Sequence, residues 1–62
     1  MIELMVETWS GPKGTSYRWS LWKDGARVGM GGPHVDRAES EEEGRSFCAE
    51  NLRTLPDRTT TL

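Results

Sequence analysis

Few residues of this 62-residue chain have the types and spacing that catalysis requires. His34 is the only histidine, and no serine, cysteine or carboxylate stands at a recognised spacing from it. Cys48 is the only cysteine, and it lies on the apolar side of a predicted helix, where a thiol packs and does not attack. One cysteine and one histidine cannot supply the four ligands of a zinc site. We therefore predict no catalytic residues, no metal and no cofactor, and we do not expect an enzyme.

Charged residues concentrate in two parts of the chain. Between residues 36 and 50 six acidic side chains stand against two basic ones, whereas residues 11 to 35 carry four basic side chains and one acidic one. Carboxylates one helical turn apart lie roughly 5 to 6 Å from each other, a spacing comparable with that of successive phosphates. Such a helix either has a solvated face or imitates nucleic acid. The residues predicted to bind a partner in this way are Asp36, Glu39, Glu42, Glu43 and Glu50.

The first half of the chain has the period-two alternation of strands, which we predict near residues 2–9, 16–23 and 26–31. Asp24-Gly25 separates the second strand from the third, and this pair is typical of a type I′ turn because both residues tolerate positive φ. A two-residue turn fixes the register and places Leu21 opposite Val28. Two residues further from the turn, Trp19 then lies opposite Met30.

The second half of the chain changes to the period of a helix. Ser40-Glu41-Glu42-Glu43 has the form of a capping box, which predicts a helix near residues 41–55, ended by Pro56. The segment 57–62 has no periodicity, and we predict that it frays. The residues on the side of the helix predicted to face the sheet are Gly44, Phe47, Cys48, Asn51, Leu52 and Leu55.

Together these elements predict a single small α+β domain in residues 1–56, followed by the frayed C-terminal tail, 57–62. Its architecture is a three-stranded antiparallel β-meander with one amphipathic C-terminal helix packed on one face, in the order β-β-β-α. The predicted core joins the helix residues Phe47, Cys48, Leu52 and Leu55 to the strand residues Ile2, Leu4, Val6, Tyr17, Trp19, Leu21, Val28 and Met30.

No predicted element remains to cover the other face of the sheet. Met5, Trp9 and Trp22 are expected to be exposed there, beside Arg18 and Arg27. The alternative partner-binding surface is therefore Arg18, Trp22 and Arg27, because indoles and guanidiniums bind bases and phosphates or serve as hot spots for a protein. A sequence pI near 5.2 is wrong for a phosphate binder, so direct nucleic-acid binding ranks second to a protein partner. The exposed face also allows a homodimer in place of a monomer.

The N-terminus, Met1-Ile2-Glu3-Leu4, has neither a basic region nor a long apolar run, so we predict no signal peptide and no membrane span. The single cysteine fits a reducing compartment. We expect a soluble, cytoplasmic protein.

The chain resembles the small anti-CRISPR proteins that phages and mobile elements encode. The features that carry the resemblance are the small size, the Trp-rich hairpin within Trp19 to Gly32 and the acidic segment Asp36 to Glu50. The resemblance implies a non-enzymatic inhibitor in the cytoplasm of a host cell. Its partner would be a nucleic-acid-binding host complex such as a type I CRISPR surveillance complex (Cascade), whose binding of target DNA a DNA-mimicking surface would block.

Overall fold

A computed structural model describes all 62 residues as one sheet with one helix on it. The elements are β1 (Ile2–Gly11), β2 (Gly14–Lys23), β3 (Ala26–His34), α1 (Arg37–Leu52) and β4 (Arg58–Thr61). The strand order is β3-β2-β1-β4, and β4 runs parallel to β1 whereas the other neighbours are antiparallel. The predicted α+β class is confirmed. The predicted three-stranded antiparallel sheet is wrong in one respect, because a fourth strand makes the sheet mixed.

Strand β4 lies in the segment 57–62 that was predicted to fray. The backbone N–H of Asp57 donates to the carbonyl of Ile2 at 2.8 Å, and that of Leu62 donates to the carbonyl of Val6 at 2.8 Å. Between these two bonds the β-branched threonines of β4 pair with β1, and such residues favour extended backbone. The tail is therefore part of the sheet, although four residues are too few to show a period.

The hairpin between β2 and β3 has the predicted turn but only part of the predicted register. Asp24 and Gly25 have φ values of 50° and 85°, as a type I′ turn requires. A register shift then intervenes between Trp22 and Leu21, so that Leu21 pairs with Gly29. An extra residue in one strand exchanges the faces of all residues beyond it. The predicted pairs Leu21–Val28 and Trp19–Met30 are therefore wrong.

The exchange of faces turns Val28 and Met30 out of the predicted core and exposes both side chains. Glycines take their places on the side of β3 that faces the helix. A Cβ atom on Gly29 would overlap the ring of Phe47, and a Cβ on Gly31 would lie 2.6 Å from Trp19 Nε1. Because these positions lack side chains, α1 approaches the sheet closely. The buried apolar core consists of Leu4, Val6, Trp19, Leu21 and Cys48, with Ile2, Tyr17, Phe47 and Leu52 packed around it.

Helix α1 begins about one turn earlier than predicted. The carboxylate of Asp36 accepts a hydrogen bond from the backbone N–H of Ala38 at 2.9 Å, so Asp36 is the N-cap. Ser40 is buried inside the helix and its Oγ has no hydrogen-bond partner. The predicted capping box is therefore wrong, because an aspartate four residues upstream already caps the helix.

The helix also ends earlier than predicted, at Leu52. Arg53 adopts the left-handed conformation with φ of 58°, which stops the helix three residues before Pro56. Leu55 consequently lies outside the helix and is 60% exposed, so its predicted place in the core is wrong.

Candidate functional site

Four of the five predicted acidic residues share one side of α1. Asp36, Glu39, Glu43 and Glu50 follow one another at spacings of three, four and seven residues, which keeps them on one helix face; we call this set the acidic stripe. Glu42 lies beside the stripe, towards solvent. The stripe borders the end of β3, because both Glu39 and Glu43 contact His34.

The carboxylate of Glu43 is held in place by two side chains of the sheet. Its Oε1 accepts a hydrogen bond from Trp19 Nε1 at 2.7 Å and lies 3.2 Å from His34 Nε2, a contact poorly aligned for a hydrogen bond. The Trp19 hydrogen bond, and after it the His34 imidazole, lower the pKa of the Glu43 carboxyl below its ordinary value. Glu39 Oε2 lies 3.9 Å from His34 Nδ1. The Glu43 carboxylate, in the middle of the acidic stripe, is therefore ionised at neutral pH and held in a fixed position.

Replacing Glu43 with Gln is expected to reduce the free energy of unfolding at neutral pH. The loss should stay below about 1 kcal/mol, because solvent screens a half-exposed carboxyl. A carboxyl whose folded pKa is lowered stabilises the fold above its unfolded pKa of about 4.3, and this contribution disappears as the pH falls through the folded pKa. Urea unfolding of both proteins between neutral and acid pH should show the difference shrinking. Glu42→Gln, which removes an exposed carboxyl of the same helix that has no hydrogen bond or ion pair, is the control and should be within about 0.5 kcal/mol of the native chain at neutral pH.

Charge is segregated between α1 and the rest of the chain. Residues 36–52 carry six acidic and two basic side chains, whereas the rest of the chain carries six basic and four acidic ones. The ion pair of Glu41 with Arg45, at 3.0 Å, lies within α1. The small net charge of the chain is therefore the sum of a negatively charged helix and a positively charged sheet.

The face of the sheet without a helix carries the alternative site residues; we call it the open face. Trp9 is 52% exposed there, and the Arg18 guanidinium carbon lies 5.1 Å from the centre of its ring. Trp22 donates from Nε1 to Ser20 Oγ at 2.9 Å and pairs across the hairpin with Arg27. The structure thus brings Arg18, Trp22 and Arg27 to one surface.

The charges of the open face differ in whether they have partners. Glu3 accepts hydrogen bonds from Thr60 Oγ1 at 2.8 Å and Arg58 Nε at 3.0 Å, so β4 neutralises it. Glu7 and Arg18 stand directly opposite each other on β1 and β2, but neither takes part in any ion pair of the molecule, and nor does Arg27. The open face therefore presents one carboxylate and two guanidiniums with free hydrogen-bonding capacity.

No family model, curated protein or solved structure matches the chain. No three His, Cys, Asp or Glu side chains converge in the manner of a metal site. Helix α1, with 16 residues of strongly polar character, is too short and too polar to cross a membrane.

The sequence pattern assigned no role to His34, which was noted only as the single histidine of the chain. The structure puts this histidine at the end of β3, 22% exposed, between Glu39 and Glu43. The separation of only five residues between His34 and Glu39 is a weak indication that the two side chains lie close together. Contact with Glu43 follows only once α1 folds back over β3, so no local pattern reveals it.

Proposed function

We propose that this chain is a non-enzymatic binding protein whose acidic stripe, together with Glu42, occupies the basic groove of a nucleic-acid-binding protein. The observation that carries the proposal is the ordered arrangement of the carboxylates. Asp36 is fixed as the helix cap, and Glu43 is fixed by Trp19 and His34. Groups already ordered in the free protein lose little conformational freedom on binding, which favours affinity.

The length of the acidic stripe supports imitation of a nucleic-acid strand. A helix rises about 1.5 Å per residue, so Glu39 and Glu50 stand roughly 16 Å apart along the axis. Along the axis of duplex DNA, successive phosphates of one strand rise by 3.4 Å or so, which makes this axial distance close to five phosphate steps. Side chains of Lys or Arg that line a DNA groove would therefore find carboxylates within reach along much of the helix.

The partner class follows from the same charge pattern and from the resemblance to anti-CRISPR proteins. A complex that holds target DNA in a basic groove, such as a type I CRISPR surveillance complex (Cascade), is the proposed target. Inhibition requires only that the helix occupy the groove, so the chain needs no catalytic residue and no cofactor. The basic side chains of the sheet lie on the side of α1 opposite to the proposed groove. They therefore do not hinder the approach of α1 to the groove.

The test is a competition between the chain and fluorescent target DNA for purified Cascade. The triple variant Glu39→Gln/Glu42→Gln/Glu50→Gln removes three exposed carboxylates but leaves the contacts of Asp36 and Glu43 intact. We expect the concentration needed to displace DNA to rise at least about tenfold, which corresponds to about 1.4 kcal/mol of binding free energy. In a separate measurement of direct binding without DNA, raising the salt from about 50 to about 200 mM should weaken the binding of the native chain to Cascade, because ions screen exposed charges.

Glu41→Gln is the matched control, because Glu41 lies on the same helix, outside the stripe, and pairs with Arg45. It should displace DNA as well as the native chain does. If the triple variant also does so, the acidic stripe is only a solvated helix face. If the native chain fails to displace DNA at about 100 µM, a concentration at which weak binders are detected, Cascade is not the target.

A further inference from the structure

We infer that the open face binds the open face of a second copy of this chain, in a two-fold symmetric dimer that pairs Glu7 of each protomer with Arg18 of the other. This inference is independent of the proposed function, because α1 lies on the opposite side of the sheet. Both acidic stripes would remain at the outer surfaces of such a dimer.

The first argument is the balance of unpaired charge. Glu7 and Arg18 face the same side of the sheet, and neither forms an ion pair within the chain. A two-fold axis brings residue i of one protomer to residue j of the other and, by the same operation, j to i. A face that carries one carboxylate and one guanidinium, neither of them in an ion pair, is thus complementary to itself. The two-fold axis generates two equivalent ion pairs, each between Glu7 of one protomer and Arg18 of the other.

The second argument is the composition of the open face around these two charges. Trp9 and Met30 are 52% and 60% exposed, and Met5 and Trp22 are half-buried beside them. Trp, Met and Arg are the residue types enriched in protein interfaces. A chain of this length buries only about 60% of the surface that its unfolded form exposes, so covering the open face adds the apolar burial that the domain lacks.

Nucleic acid fits the open face less well than a second copy does. Glu7 lies on β1 within this surface, two residues from Trp9 and directly opposite Arg18 on β2, and it forms no ion pair within the chain. A phosphate backbone laid across the indoles would meet this carboxylate, whereas a second protomer brings Arg18 to it. The charge pattern therefore favours a protein partner whose charges are opposite to those of the open face. A second copy of the chain has such charges.

Sedimentation equilibrium tests the dimer. At about 100 µM, above the dissociation constant of ordinary specific interfaces, the native chain should have twice its monomer mass of 7.0 kDa. Glu7→Arg places two guanidiniums against each other in the dimer, and Arg18→Glu places two carboxylates against each other. Each variant alone should dissociate at least about tenfold more readily.

An equimolar mixture of Glu7→Arg and Arg18→Glu decides the question. Only when one protomer of each variant combines does every position 7 meet a position 18 of opposite charge. The mixture should recover the dimer mass, and this recovery also shows that both variants fold. Glu42→Arg, with the same change of charge on α1, is the control and should remain dimeric.

Several results would overturn the inference. They are a native chain of monomer mass, single variants that stay dimeric, and a mixture of the two variants that stays monomeric. A monomeric chain that shifts single-stranded DNA through Trp22 would overturn it as well, and would assign the open face to nucleic acid.

Discussion

Gly44→Leu is expected to reduce the free energy of unfolding by about 3 kcal/mol or more. A Cβ atom at this position would lie 2.5 Å from Leu4 Cδ1 and 3.1 Å from Trp19 Cδ2, and both side chains belong to the buried core. The rest of a leucine side chain has no space between α1 and the sheet. A domain of this size has a total stability of roughly 3 to 9 kcal/mol, so this loss removes much or all of it.

Urea unfolding followed by tryptophan fluorescence measures the effect, since Trp19 is buried against Gly44. Ala49→Leu is the matched control, because Ala49 lies on the exposed side of the same helix. It should change the stability by less than about 0.5 kcal/mol. A Gly44→Leu variant as stable as this control would mean that α1 does not approach Leu4 as closely as the structure places it.

Ending the chain after Pro56 is expected to cost about 2 to 4 kcal/mol, since each hydrogen bond of β4 contributes roughly 1 kcal/mol net and several are lost together. The lost bonds include those from the Asp57 and Leu62 backbone N–H groups and the two donors to Glu3. The measurement is the urea midpoint of the truncated chain against that of the full chain. We also expect the truncated chain to aggregate more readily, because β1 becomes an unprotected edge strand.

Thr59→Ala in the full chain keeps the backbone bonds of β4 and removes only an exposed side chain. It should be within about 0.5 kcal/mol of the native chain. Equal stability of the truncated and full chains would show instead that residues 57–62 fray in solution, as their lack of periodicity predicts.

The elements that sequence predicted well are those fixed by neighbouring residues. The turn at Asp24-Gly25 depends on the φ preferences of two adjacent residues. A helix in the second half of the chain was also predicted, although both of its ends lie three or four residues earlier than predicted. The start of α1 was predicted wrongly at Ser40, because the local pattern does not show that Ser40 is buried within the helix and that Asp36 caps it one turn earlier.

The features that sequence could not predict are non-local. The register shift beside Trp22 does not change the alternation of apolar residues in β2. Its reason is the packing of α1 against β3, which requires Gly29 and Gly31 on the side that faces the helix. The acidic residues of the candidate site were predicted from charge and helical spacing. Their fixed contacts with Trp19 and His34 depend on the fold of the whole chain, and so does the absence of an ion pair at Glu7.

The parallel pairing of β4 with β1 also determines when the sheet can be completed during synthesis on the ribosome. Ile2 donates to the carboxylate of Asp57, 55 positions further along the chain, whereas the hairpins of β1, β2 and β3 join residues that are made almost together. The outer edge of β1 therefore stays open until residues 58–61 have been synthesised and have left the ribosome. An open edge pairs readily with other extended chains. Nascent copies on one messenger RNA are thus exposed to mispairing until the last strand closes the edge.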